Sequence, residues 1–203
     1  MKILFLDTSS FFVTISIIYN NEVVYNYQEE IRDDMSSKIL PIIREGFNTL
    51  DFELKDIDKI MVVNGPGSFT GVRIGVTIAK VMAYSLKKDI ITISSLEYLA
   101  TTECNTEYII PMIDARRGYY FAGVYDTNLN NIYKDNYIQL ADITEYLNKG
   151  TIVSLNDIEG SIKPKLDVLK IVNKHIGDRS HNPHMVKPNY LKKTEAEEKL
   201  MEK

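Results

Sequence analysis

Two stretches of this sequence carry the same elements in the same order. In the first, Ile3–Leu6 is a short apolar run that ends at Asp7. Phe12–Tyr19 is rich in β-branched and aromatic residues, Asn20-Asn21 marks a turn, and Glu22–Tyr27 returns. Residues 108–139 repeat this: strand Tyr108–Ile113, turn Asp114-Ala115-Arg116-Arg117-Gly118, strand Tyr119–Tyr125, a turn at Asn128–Asn131 and a return over Ile132–Ile138. Tyr19 lies twelve positions after Asp7, and Tyr125 eleven after Asp114. After each copy the pattern predicts a helix, near 37–50 and near 142–148, then a strand, at 59–63 and 151–155. The shared order, spacing and turn aspartate point to a duplication. They predict two α/β halves, each opening on a three-stranded antiparallel unit, at about 1–27 and 108–139.

Between the copies, Ile39, Ile43, Phe47 and Leu50 share one face of the first helix. Lys59–Val63 reads as a buried strand, Thr70–Leu86 as a long helix, and Ile90–Ile93 as another strand. Ser94 or Ser95 caps a short helix with Leu96, Tyr98 and Leu99. Past residue 156 the pattern weakens. Asp157–Lys174 reads as helix or loop, and Thr194–Lys203 as a charged helix or a frayed tail.

At 203 residues the chain suits one split domain or two small ones. Its 44% hydrophobic and 26% charged residues are ordinary for a soluble globular protein. No apolar stretch approaches the ~20 residues of a membrane span, and the apolar run after Lys2 is too short for a signal peptide. A single cysteine, Cys104, excludes an internal disulfide and suits a reducing cytoplasm. The net charge is −4, and the basic residues are dispersed apart from Lys187, Lys192 and Lys193. A protein that grips nucleic acid alone usually shows a basic face. Any nucleic acid here is therefore expected to be held mostly by another subunit.

Four of the ten glycines, at 65, 67, 71 and 75, fall in Asn64-Gly65-Pro66-Gly67-Ser68-Phe69-Thr70-Gly71-Val72-Arg73-Ile74-Gly75. The segment follows a strand and opens a helix, and backbone N–H groups at such a start can hold an anion. A phosphate-binding P-loop needs Gly-Lys-Ser/Thr there, and Val72 follows Gly71. A dinucleotide fingerprint needs a third glycine where Thr70 stands, although Asp89 lies roughly where a ribose-binding acid belongs. The remaining reading is close packing, since Gly71, Gly75, Ala79 and Ala83 form a row spaced by four.

Asp7 and Asp114 can face each other across a cleft and hold a metal-nucleotide, or each can cap its own turn. The first turn, Asp7-Thr8-Ser9-Ser10-Phe11-Phe12, has hydroxyls but no glycine, and its phenylalanines crowd a phosphate. His175, His181 and His184 all lie near the C-terminus. The last two flank Asn182-Pro183, a turn and a poor rigid metal pair. No Gly-x-Ser-x-Gly elbow appears. Cys104 sits between Glu103 and Asn105, with no reason for a lowered pKa. Arg116 and Arg117 can grip an anion, face solvent or pair with a partner.

Ile3-Leu4-Phe5-Leu6-Asp7-Thr8-Ser9, the glycine segment, Ser94-Ser95-Leu96-Glu97, Asp114-Ala115-Arg116-Arg117-Gly118 and Pro188-Asn189-Tyr190-Leu191 occur in one order along nearly the whole chain. Together they resemble the dimerisation subunit of the bacterial tRNA threonylcarbamoyladenosine complex, the TsaB or YeaZ type. Met35-Ser36 stands where that family has a familiar His-Ser pair, which weakens any metal reading of the first helix. The resemblance implies an α/β, duplicated actin-like (ASKHA, ribonuclease H-like) fold with a truncated second half. Its first subdomain spans 1–100 and its smaller second 101–203, the C-terminal tail returning to the first. It implies a cytoplasmic, non-catalytic scaffold with no peptidase activity, no tightly bound cofactor and no metal of its own. Its partners are a larger metal-containing sister subunit of TsaD type, which performs threonylcarbamoyl transfer, and a small ATPase of TsaE type. Alone, it pairs with itself; tRNA meets it only through the complex, and ATP or ADP at interfaces with partners. The alternative is a small actin-like ATPase in its own right; a dinucleotide-binding oxidoreductase is disfavoured by the duplicated hairpins. Candidates for a weak nucleotide or anion grip are Asp7, Thr8, Gly65, Gly67, Ser68, Asp114 and Arg116. Candidates for the partner surface are Ile39, Ile43, Phe47, Gly71, Gly75, Ala79 and Ala83.

Overall fold

Strand β1 (Lys2–Asp7) is buried along almost its whole length, because it lies at the centre of a sheet covered on both faces. It pairs antiparallel with β2 (Phe12–Tyr19), which pairs antiparallel with β3 (Glu22–Glu30). On its other side it runs parallel to β4 (Lys59–Val63), and β4 to β5 (Asp89–Ile93), giving the order β3-β2-β1-β4-β5. Side chains alternate between the two faces. Leu4, Leu6, Ile60 and Val62 meet α1 (Met35–Asn48) and α2 (Phe69–Leu86). Ile3, Phe5, Met61 and Val63 point the other way, into a core shared with the second half.

The computed structural model describes residues 1–192. The second half repeats the first in the same spatial order, β8-β7-β6-β9. Here β6 (Tyr108–Asp114) pairs antiparallel with β7 (Tyr120–Tyr125) and parallel with β9 (Gly150–Val153), while β8 (Asn131–Ile138) closes the hairpin. The predicted antiparallel units are present in both halves, and the second sheet is a strand shorter. Between β8 and β9, a 3-10 turn over Leu140–Ile143 leads into the single turn α4 (Thr144–Leu147) where one helix is expected.

Short helix α3 (Ser95–Leu99) joins the halves; Ser94 caps it, its Oγ accepting from Leu96 N at 3.2 Å. The ambiguous stretch 157–174 is loop up to Asp167, which caps α5 (Val168–His175) by accepting from Lys170 N at 2.9 Å. Residues 176–192 then run back along the first sheet and α2. Lys59 Nζ donates to Ile176 O at 2.8 Å, His181 N to Ile90 O at 2.8 Å, and Asn189 N to Asn64 O at 2.7 Å. Lys193 and the stretch expected as a charged helix or frayed tail lie outside the described residues. No described helix is long and apolar enough to cross a membrane.

Candidate functional site

The turn after β1 and the glycine segment are built against each other. Ser68 N donates to Ser9 O at 2.7 Å, and Thr8 Oγ1 donates to Gly71 O at 2.7 Å. A Cβ at Gly67 would overlap the Ser9 carbonyl oxygen, and one at Gly71 the Thr8 carbonyl oxygen. The glycines therefore make room for the protein's own backbone. These contacts use part of the hydrogen-bonding capacity that an anion would need. Ser68 N–H is taken by Ser9, Ser68 Oγ accepts from Gly71 N at 3.2 Å, and Gly65 lies against the carbonyl of Asn189. Thr8 is fully buried and acts as a clamp between β1 and α2.

Between the two sheets lies a cavity of ≈ 240 Å³. Asp7, Ser9, Ser10, Gly67, Ser68, Ser95, Asp114 and Asn156 supply its polar lining. Phe11, Leu99, Ile113, Phe121, Leu155 and Leu166 supply an apolar wall. Of the seven residues expected to grip a nucleotide or anion, four converge here: Asp7, Gly67, Ser68 and Asp114. Thr8, Gly65 and Arg116 do not line it. Among the described residues the lining includes two carboxylates and no Lys or Arg, which disfavours phosphate. Its volume falls below the ~300–1,000 Å³ usual for small-molecule sites.

The two aspartates sit differently. Asp7 is 5% exposed, and burial pushes its pKa up to about 6, while hydrogen bonding to Ser9 pulls the other way; its Oδ1 accepts from Ser9 N at 2.7 Å. Asp114 is exposed, and its Oδ1 accepts from Arg116 N at 2.8 Å. Each thus caps its own turn while also lining the shared cavity. The Asp114 turn is strained: φ is 68° at Arg116 and 57° at Arg117. Left-handed backbone costs a non-glycine residue roughly 1–2 kcal/mol.

The expected partner surface requires a correction. Ala79 is 0% exposed and Ala83 1%; both pack with Gly71 and Gly75 inward, towards the sheet and Thr8. Ile39, Ile43 and Phe47 belong to the same internal core. The sheet takes the smooth row because close approach of helix to strand needs small residues, and Thr8 fills the groove. The outward face is a different stripe. Leu40 on α1 and Phe69, Val81 and Tyr84 on α2 are exposed by half or more. Leu40, Phe69, Arg73, Ile74 and Ile78 border a groove between these helices. The 3.6-residue period of α2 contains this second stripe at 70, 73, 77, 81 and 84, and it could have been read from the sequence.

The remaining candidates separate. His181 Nε2 lies 3.2 Å from Thr92 Oγ1, His184 packs edge-on against Tyr84, and His175 belongs to an ion cluster on α5. No three His, Cys, Asp or Glu side chains converge as metal ligands among the described residues. Cys104 is half-buried, and burial raises its thiol pKa. Sequence reasoning missed Asp135. It is half-buried, its Oδ2 accepts from Ser94 Oγ at 2.5 Å and its Oδ1 from Tyr125 OH at 2.6 Å, and it ties β8 to the start of α3.

Known proteins resemble this chain in sequence and in fold. The profile of the TsaD family, tRNA N6-adenosine threonylcarbamoyltransferase, matches residues 22–169. The tRNA threonylcarbamoyladenosine biosynthesis protein TsaB of Bacillus subtilis (strain 168) is 32% identical, covering 100% of this chain and 99% of its own length. A tRNA N6-adenosine threonylcarbamoyltransferase of Protochlamydia amoebophila (strain UWE25) is 39% identical over 29% of this chain and 17% of its own. In structure, YeaZ from Pseudomonas aeruginosa superposes with a TM-score of 0.75 at 19% identity, covering 94% of this chain and 99% of that one, which shows a common fold. With its paired sheets in matching order, the fold is the duplicated actin-like one. Matched end to end by TsaB and over most of its length by the TsaD profile, the chain belongs to the TsaB family of tRNA threonylcarbamoyladenosine biosynthesis proteins.

Proposed function

We propose that this chain is a non-catalytic scaffold in the cytoplasm, required for threonylcarbamoyl transfer to a tRNA adenosine because it binds a larger TsaD-type sister subunit that carries the metal and the chemistry. The observation that carries this reading is the outward face of α1 and α2. Leu40 and Phe69 border the groove between them, and Val81 and Tyr84 stand exposed farther along α2. Exposed apolar side chains gathered along a groove support an interaction site more than singly scattered ones do. Two adjacent helices make half of a four-helix contact, and a sister on a similar fold supplies the other half. Without the sister, the same face pairs two copies of this chain. A TsaE-type ATPase joins the assembly, and ATP or ADP then binds where subunits meet, since the described residues lining this chain's own cavity include no cation.

Capture of the TsaD-type protein by the purified chain tests the reading. Val81→Glu and Leu40→Glu place charges on the face without touching the core. Each is expected to leave the melting temperature within a few degrees and to abolish capture. Normal capture by both folded variants would sink it. The second reading, nucleotide binding by the chain alone, rests on Asp7 and Asp114 sharing one cavity. Calorimetric titration with ATP and magnesium decides it, micromolar binding by the isolated chain being the outcome that favours it.

A further inference from the structure

The turn between β6 and β7 holds two arginines in a backbone that arginine does not favour. Arg116, Arg117 and Gly118 all have positive φ, where Asn, Asp or Gly are the usual occupants. The β2–β3 hairpin shows the ordinary solution, with Asn20 and Asn21 at its positive-φ positions. Both arginines are exposed, and neither side chain makes a hydrogen bond or ion pair among the described residues. Nothing among the described residues requires a guanidinium at either position.

An aromatic plane stands beside them. Tyr119 follows the turn and Tyr137 comes from β8; their rings stack 4.7 Å apart at 7°. Lys192, from the returning C-terminal segment, places Nζ 5.1 Å from the Tyr137 centroid. The one acid in the turn, Asp114, is occupied with Arg116 N. Asp135 on β8 is held by Ser94 and Tyr125. Among the described residues, this end of the second sheet thus places Lys192 over the Tyr137 ring and two exposed arginines in the turn that leads into the partly exposed Tyr119, on a chain whose net charge is −4.

We propose that this end of the second sheet contacts single-stranded RNA, an unpaired loop of the tRNA substrate. The identity of that RNA rests on the function proposed above; the contact itself does not. Cations that track phosphates beside rings on which bases stack are the recurrent solution for unpaired strands. A basic groove alone would suit any polyanion, whereas a stacked tyrosine pair adds a face matched to bases. The overall negative charge keeps the contact local and leaves most of the grip to a partner.

The test uses the full chain and Arg116→Asn/Arg117→Asn. Asparagine tolerates positive φ, so the double variant is expected to melt at or above the parent temperature. An anticodon stem-loop carrying 4-thiouridine in its loop is photocrosslinked to the chain, alone at low salt and with the TsaD-type protein. Crosslinks at Tyr119 or Tyr137, an RNA affinity about tenfold weaker in the variant, and a salt slope lower by about 1.4 are expected. Crosslinks elsewhere, or unchanged affinity in the folded variant, overturn the proposal. If RNA binding is unchanged and capture of the TsaD-type protein is lost instead, the arginines meet an acidic protein surface, and the RNA contact is again overturned. Failure of the wild-type chain to capture that protein sinks the scaffold reading alone, because the low-salt crosslinks of the isolated chain still report on the RNA contact.

Discussion

Asp7 costs the folded chain stability. Burial raises its pKa from 3.8 to about 6 against the pull of its hydrogen bonds to Ser9. Between those values the folded chain holds a proton that the unfolded chain has lost. Stability therefore falls as pH rises through this window and stays lower by roughly 3 kcal/mol above it. Asp7→Asn keeps an oxygen for Ser9 N–H and removes the charge. Urea unfolding is expected to show the variant more stable by about 1–3 kcal/mol at pH 7, the gap closing towards pH 4. A variant weaker at every pH would mean that the carboxylate is compensated in the fold. The equivalence of Asp7 and Asp114 is legible from the repeat, because both end a first strand. Their different burial is not legible, since the glycine segment that covers Asp7 arrives from some sixty residues away. Asp135 gave still less warning. Its partners Ser94 and Tyr125 lie on two other elements, and no local pattern links them.

At the scale of the element, α2 shows what periodicity decides and what it leaves open. The row Gly71, Gly75, Ala79, Ala83 announces a close approach, and the approach exists. What the sequence leaves undetermined is which neighbour approaches, because an 18-residue helix also carries apolar residues at 74, 78 and 81. Thr8 settles it, donating to Gly71 O and filling the space beside Gly75. Ala79→Arg, which on the outward reading would only have blocked a partner, now buries an unpaired charge at a fully covered position. It is expected to unfold the chain or cost more than about 3 kcal/mol. Gly71→Ala is gentler but forces a methyl against the Thr8 carbonyl, which overpacking puts at about 1–3 kcal/mol. Thermal melts of both, set beside Val81→Glu, test the assignment: equal tolerance at 79 and 81 would contradict it.

Over the whole molecule, the halves are joined through α3 and α5. An eight-residue helix has little stability of its own, so α5 exists because of what it docks on. That explains why 157–174 read equally as helix or loop. Asp167 N donates to Thr101 Oγ1 at 3.0 Å and Lys165 N to Thr102 Oγ1 at 3.2 Å. Lys174 Nζ lies 3.0 Å from Glu97 Oε1. His175 stands 2.9 Å from Glu97 through Nε2, an ion-pair distance without hydrogen-bond alignment, and 2.6 Å from Asp178 through Nδ1. Burial alone would lower the His175 pKa, but Glu97 and Asp178 hold it above its ordinary 6.5. Burial alone would raise Glu97, and its two cationic neighbours hold it below its usual value. The signs follow: the histidine's contribution is complete below pH 6.5 and is lost as pH rises through its folded pKa. Asp7 acts in the same direction over a separate, lower window, while the Glu97 contribution disappears only on the acid side. His175→Gln should therefore cost most near pH 6 and progressively less towards pH 9. Its effect should appear first as faster proteolysis at 157–175, because the α3–α5 junction loosens before either sheet does. A destabilisation that is constant over that range would assign His175 a packing role alone.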